Sequence, residues 1–306
     1  GMGGTIRNLA TAAQKTLDLP DVDVQGFALE RDLLEELIEL IASKPVAKRG
    51  SVRGIKPDRA DVILGGAIVV AAAMDRGGFD VLEVTDAGLR EGIFFGHLLE
   101  GRDPPLLEDV RRESVINLAH RFRTDDVHVE HVGHLSLQMF DSLGEAGLHD
   151  FGQPERELLW AASMLHDIGM TIDYDDHHRH SHYLIQHTGL PGFDPRELEL
   201  VALVARWHRK GDPDVSALGD LERKGDSDRL LLLCGVIRLA EQLERSRDRS
   251  VASVELEHHK SRVTLRAVTD GNSESDPSVA IWSAQRNADV LSAAIGKEVE
   301  VVGPGE

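Results

Sequence analysis

With 306 residues the chain is long enough for two or three compact units, each with its own core. Acidic residues outnumber Lys plus Arg by 53 to 34, and the formal charge of −19 excludes broad nucleic-acid binding. It does not exclude a phosphorylated ligand, because a bound divalent metal reverses the charge locally.

Cys234 is the sole cysteine, so an intrachain disulfide is excluded, which fits a reducing compartment. The longest apolar run, around Val62 to Met74, is too short to span a bilayer. Gly1 and Met2 read as a cloning remnant, with no secretion signal after them, so the expectation is a cytoplasmic protein without a membrane partner.

In chain order, Gly3-Gly4 opens a helix over Thr5–Lys15, a second runs over Leu29–Ala42, and an Ala- and Val-rich third over Asp58–Met74. Phe79–Thr85 is β-branched and follows Gly77-Gly78, so it reads as a strand, with a turn-rich DAGLREG segment after it. Gly101–Pro105 cannot continue a helix and marks a linker. From 106 to 246 the pattern is almost wholly helical. Beyond that, 251–257 and 262–268 alternate as a hairpin, Asp270–Asp276 is a solvated loop, Pro277–Ile295 a helix and Glu298–Val302 a returning strand.

The chemistry sits in the helical stretch. His128, Val132, Leu135, Met139 and Leu143 follow one another at four, three, four and four residues, so His128 continues an apolar stripe. Leu158, Ala162 and His166 do the same, with Gly169 as terminator. Asp167, about 100° round the helix from His166, can flank the same ion. His180 aligns with Leu184, His208 with Val201 and Val204, and Glu241 with Leu230, Cys234 and Ile237. A single inward histidine is ordinarily a satisfied core residue. Five helical segments that each turn a nitrogen or oxygen ligand inward are a metal pattern instead, since every buried polar group needs a partner. Such a set suits Mn, Fe, Co, Ni or Zn, and Mg less well. Arg209 and Lys210, just past His208, and Arg238, one turn before Glu241, are candidate phosphate contacts; a charged helix end and an ion pair with Glu241 are their ordinary alternatives.

The helical region resembles the HD superfamily of metal-dependent phosphohydrolases, whose pattern is a His, a His-Asp pair and a distant acid. His128, His166 and Asp167 match the first three and Glu241 stands at the last, normally an Asp. His180 and His208 fall where binuclear members place extra histidines, which implies one or two ions.

A wider resemblance, carried by GGTIRNLA (3–10), DAGLREGI (86–93), HVGHLSLQMFDSL (131–143), AASMLHDIGM (161–170), HHRHSHYLI (177–185), ARWHRKGDP (205–213) and IRLAEQLERS (237–246), is to the C-terminal part of the exopolyphosphatase/guanosine pentaphosphatase (Ppx/GppA) family. It implies a mostly α (α+β) chain with a partial actin-like lobe over 1–100, an all-helical HD domain over 106–246 and a small αβ subdomain over 247–306. Family members begin with a two-lobed actin-like module that supplies the catalytic acid, and this chain is expected to start inside its second lobe. The function implied is hydrolysis of a phosphoanhydride or phosphoester in polyphosphate, a guanosine alarmone or a nucleotide, with a homodimer as the oligomer hinted. The alternative is a non-catalytic member that binds polyphosphate or a partner protein.

Overall fold

Helices dominate the computed structural model, which describes residues 1–19, 23–269 and 276–305. In chain order they and the strands are α1 (Gly4–Thr16), β1 (Ala28–Glu30), α2 (Arg31–Ala42), α3 (Ile63–Gly77), β2 (Val81–Glu83), α4 (Leu89–Leu98), α5 (Val110–Arg121), α6 (Asp126–Glu145), α7 (Gln153–Leu165), α8 (His177–Thr188), α9 (Pro195–Trp207), α10 (Asp226–Leu243), β3 (Ser253–His258), β4 (Arg262–Val268), α11 (Ser278–Gln285), α12 (Asp289–Ile295) and β5 (Glu298–Val302). Among the described residues no helix is long and apolar enough to cross a membrane. Most of the loop expected over Asp270–Asp276 lies outside the described residues.

Residues 1–113, 191–196 and 218–221 form one compact unit; 114–190, 197–217 and 222–306 form a second. In the first, α1, α2 and α3 pack on one another. Leu34, Leu37 and Ile41 recur at three and four residues along α2 and are buried with Leu9 and Ala13 of α1 and Ile63, Ala67 and Met74 of α3. Three expectations shift here. Leu29 belongs to a strand, not to the helix after it, because it pairs with Leu82 across an antiparallel ladder. The third helix starts at Ile63, since Pro57–Arg59 makes only a 3₁₀ turn. The DAGLREG segment becomes the start of α4, where the Gly88 N–H donates to the Glu91 carboxylate (2.8 Å) and closes the first turn.

In the second unit α6 packs on α7 and α10, and α7 also meets α10. The α6 stripe falls as its spacing requires: His128, Val132, Leu135, Met139 and Leu143 are all buried. Each fully buried aliphatic side chain of this kind contributes about 1.5–3 kcal/mol of burial free energy. Cys234, on α10, is fully buried, and burial pushes its thiol up, so it is a core residue. Gly235 lets α12 approach closely; a Cβ there would stand 2.7 Å from Leu291 Cα.

The three-stranded sheet has the order β3-β4-β5. β3 and β4 form the expected antiparallel hairpin, and β5 lies parallel to β4 with Val263 opposite Val299. A parallel return needs a crossover, which α11 and α12 provide. They are two helices where one was expected. Asn287 ends the first by bonding the Ala284 carbonyl through its N–H and the Ser283 carbonyl through its amide.

Candidate metal centre

α7 stops at Leu165 and His166 caps it. Asp167 then takes φ −101° and ψ 1°, in the bridge region common at functional sites. Ser181 pins this turn to α8: its hydroxyl donates to the His166 carbonyl (2.6 Å) and accepts from the Gly169 N–H (2.9 Å). Only a glycine fits at 169, because a Cβ there would stand 2.1 Å from the His177 carbonyl oxygen and 2.5 Å from the Ser181 nitrogen. Both are backbone atoms and cannot swing away. Gly169→Ala is therefore expected to displace the first turn of α8 and cost about 1–3 kcal/mol. Urea unfolding reads this directly, and an unchanged midpoint would contradict it.

Three imidazoles are oriented in the same manner. Nδ1 of His166 meets the Ser163 carbonyl (2.7 Å), Nδ1 of His177 the Tyr174 carbonyl (2.7 Å) and Nδ1 of His208 the Ala205 carbonyl (2.6 Å). A carbonyl oxygen can only accept, so each Nδ1 carries a proton and each ring turns its Nε2 into the shared space. Those nitrogens face one another and a carboxylate. His177 Nε2 and His208 Nε2 are 3.1 Å apart, and His166 Nε2 is 3.2 Å from Glu241 Oε2. His128 Nε2 lies 3.1 Å from the same oxygen without hydrogen-bond geometry, and both its ring nitrogens are buried without a partner.

Asp167 completes the group. Its Oδ1 is 3.3 Å from His177 Nε2, 3.6 Å from His166 Nε2 and 4.0 Å from His208 Nε2, and its Oδ2 is 3.7 Å from His128 Nε2. Two overlapping triads result, His128–His166–Glu241 and His166–Asp167–His208, with ligand atoms within 4.8 Å of one another. Atoms held about 2.1 Å from a common ion stand roughly 3.0–3.4 Å apart in octahedral or tetrahedral arrangement. Most of the observed separations are near that range, so the residues fit a divalent cation.

The surroundings are dry and strongly charged. His166 is 0% exposed, His208 1% and Asp167 7%. Burial opposes charge on His166, but Asp167 and Glu241 outweigh it and push its pKa up to about 9. Burial, with His166 beside it, pushes His208 down to about 3. Glu241 is held well below the usual carboxylate range: burial raises it, and the neighbouring His128 and His166 more than offset that.

The other sequence candidates separate from this group. His180 is half-buried and absent from both triads; the α8 histidine at the cluster is His177. Arg238 is buried, donates Nε to the Trp207 carbonyl (2.6 Å) and bonds the Gly211 carbonyl through Nη2, so its guanidinium holds the end of α9. Arg209 donates to the Asp175 carbonyl (3.0 Å) and Lys210 pairs with Asp176 (3.6 Å). Both line a cavity that excludes Asp167.

Arg247 went unmarked by sequence. Its Nη2 is 2.7 Å from Asp167 Oδ2, and with Arg123, Thr124 and Met170 it lines a cavity of about 310 Å³ that reaches Asp167. Its signal was the arginine run in LERSRDRS (243–250), which reads more naturally as a solvated charge patch.

A fold of this kind, with a buried His/Asp/Glu cluster between helices, is that of a helical domain with a candidate metal site. Residues 110–276 match the Ppx/GppA phosphatase domain III model, and residues 1–101 match the Ppx/GppA phosphatase family model. The chain belongs to the Ppx/GppA phosphatase family. It is 29% identical over 234 residues to a guanosine-5'-triphosphate,3'-diphosphate pyrophosphatase of Vibrio vulnificus (strain YJ016), covering 74% of this chain and 41% of that protein. A protein of the same name from Pseudoalteromonas translucida (strain TAC 125) is 28% identical over 173 residues, covering 55% of this chain and 33% of its own length. The matches thus span less than half of either relative.

Proposed function

We propose that this chain carries an HD-type, metal-dependent phosphohydrolase centre acting on a phosphoanhydride or phosphoester. The observation that carries it is the common orientation of His166, His177 and His208, whose Nε2 atoms converge on Asp167 and Glu241. Ring nitrogens and carboxylates gathered in a buried site are a donor set for a divalent cation, which would displace the proton that His166 holds without it. His128, His166 and Glu241 would hold one ion and His166, Asp167 and His208 a second or the same one, from among Mn, Fe, Co, Ni, Zn or Mg. A bound divalent ion supplies charge neutralisation on phosphate and a water acidified towards neutrality.

The chain's own groups do the rest. Asp167, which lines the cavity, can orient hydrogen-bond donors there, and Arg247 beside it offers a guanidinium to phosphate oxygens. The cavity accommodates a phosphoryl group and part of its leaving group. A guanosine alarmone, a nucleotide or a short polyphosphate is the substrate class, in keeping with the family and with the names of the two relatives. The first unit would serve as part of an actin-like lobe.

Metal analysis of the purified protein, paired with a phosphate-release screen on wild type and His166→Ala, tests the proposal. The expected result is bound transition metal and metal-dependent release, both lost in the variant. Absence of metal after supplementation would sink it. Ligand binding without turnover, indifferent to His166→Ala, would favour the non-catalytic reading.

A further inference from the structure

Outside the metal cluster, the second unit gathers cations around a separate cavity of about 300 Å³. Arg209, Lys210, Arg245 and Arg286 line it together with Gln242 and Trp282, and no carboxylate is among its lining residues. It shares no residue with the cavity that reaches Asp167. In a chain of net charge −19, four cations pooled in this way run against the average. Arg245 reaches only the Gln242 amide oxygen (3.3 Å), and the Arg286 guanidinium lies 5.2 Å from the centre of the Trp282 ring. Among the described residues neither arginine has an ion-pair partner. Like charges around a small hollow repel one another, and a multiply charged anion relieves that repulsion.

We infer that this cavity is a second ligand site, for a nucleoside di- or triphosphate whose phosphates lie among Arg209, Lys210, Arg245 and Arg286 and whose base stacks on Trp282. Arginine forks suit phosphate oxygens bidentately, and Lys210 adds a point charge. The volume is at the small end for ligand pockets, enough for the phosphates but not for a whole nucleotide. The base must therefore sit at the rim, where the Trp282 indole is 58% exposed and offers an aromatic face. A long polyanion is disfavoured, because beyond the cavity it would meet the acidic surface within about one Debye length. The site requires no metal and is independent of the phosphohydrolase reading.

Calorimetric titration of the full chain in chelator with GTP, ATP and tripolyphosphate tests the inference, with tryptophan emission recorded in parallel. Nucleotide binding is expected in wild type and in Asp167→Asn. Arg245→Ala and Arg286→Ala should each weaken it by about tenfold. Trp282→Leu should weaken the nucleotides by about tenfold while leaving tripolyphosphate unchanged. All three variants alter exposed or half-exposed side chains, and an unchanged melting temperature verifies their fold. Three outcomes would overturn the inference: no binding by wild type, binding lost in Asp167→Asn but kept in the arginine variants, or tripolyphosphate binding as tightly as GTP with no effect of Trp282→Leu.

Discussion

Asp167→Asn is expected to abolish the stabilisation that a divalent ion would confer on this protein at the proposed centre. A ligand present at a hundred times its dissociation constant stabilises the folded state by about 2.7 kcal/mol. For a unit of this size that corresponds to a rise in melting temperature of roughly 5–10 °C. Asparagine keeps the shape of the side chain but offers only a neutral oxygen and an N–H₂ group in place of two anionic oxygens. Both matter here, because Oδ1 faces His166, His177 and His208, and Oδ2 faces His128 and Arg247. The substitution also leaves the Arg247 guanidinium without its nearest acid, so the metal-free variant should melt below metal-free wild type. Differential scanning fluorimetry with chelator and with Mn²⁺ separates the two effects. If the variant retains the full metal-dependent shift, Asp167 is not a ligand.

Much of this arrangement is legible from periodicity. The α6 stripe from His128 to Leu143 could be read because a 20-residue helix repeats its inward face five times, and a buried polar group in that register stands out. Glu241 on α10 follows from the same argument. α8 is different. It has only 12 residues, and its first turn is set by Ser181 and Gly169 gripping the turn after α7, a tertiary contact with no local pattern. The aliphatic alignment of His180 with Leu184 therefore pointed one turn too far along, and His177 holds the position by the cluster. Arg247 was illegible for another reason. It lies beyond α10 with φ 55°, a left-handed conformation that periodicity cannot anticipate in a non-glycine residue. Arg238 shows the reverse failure: its spacing suggested Glu241 or a phosphate as partner, yet the free carbonyls at the end of α9 and in the loop beyond it claim the guanidinium.

The protonation of His166 yields the second large effect, and its sign depends on whether a metal is bound. In the metal-free protein burial disfavours the charged ring, but Asp167 and Glu241 prevail and its pKa stands at about 9, above the unfolded value of about 6.5. The folded state then binds the extra proton between those values. Its stabilising contribution is fully present below about pH 6.5 and is lost as pH rises through 9, amounting to about 3 kcal/mol over the interval. His208 works on the other side. Burial and the neighbouring His166 push it down to about 3, so its contribution is lost as pH falls below about 6.5. Metal-free protein should accordingly be most stable near pH 6.5 and weaken on the alkaline side. A divalent ion bound at the proposed centre would take the place of the proton at His166 Nε2, and its affinity would increase as that proton becomes easier to remove. Urea unfolding at pH 6.5, 7.5 and 9 should thus give diverging trends, falling in chelator and level or rising with Mn²⁺. His166→Gln should flatten the chelator curve. Identical pH profiles with and without metal would mean that the proton and the ion do not compete for this nitrogen.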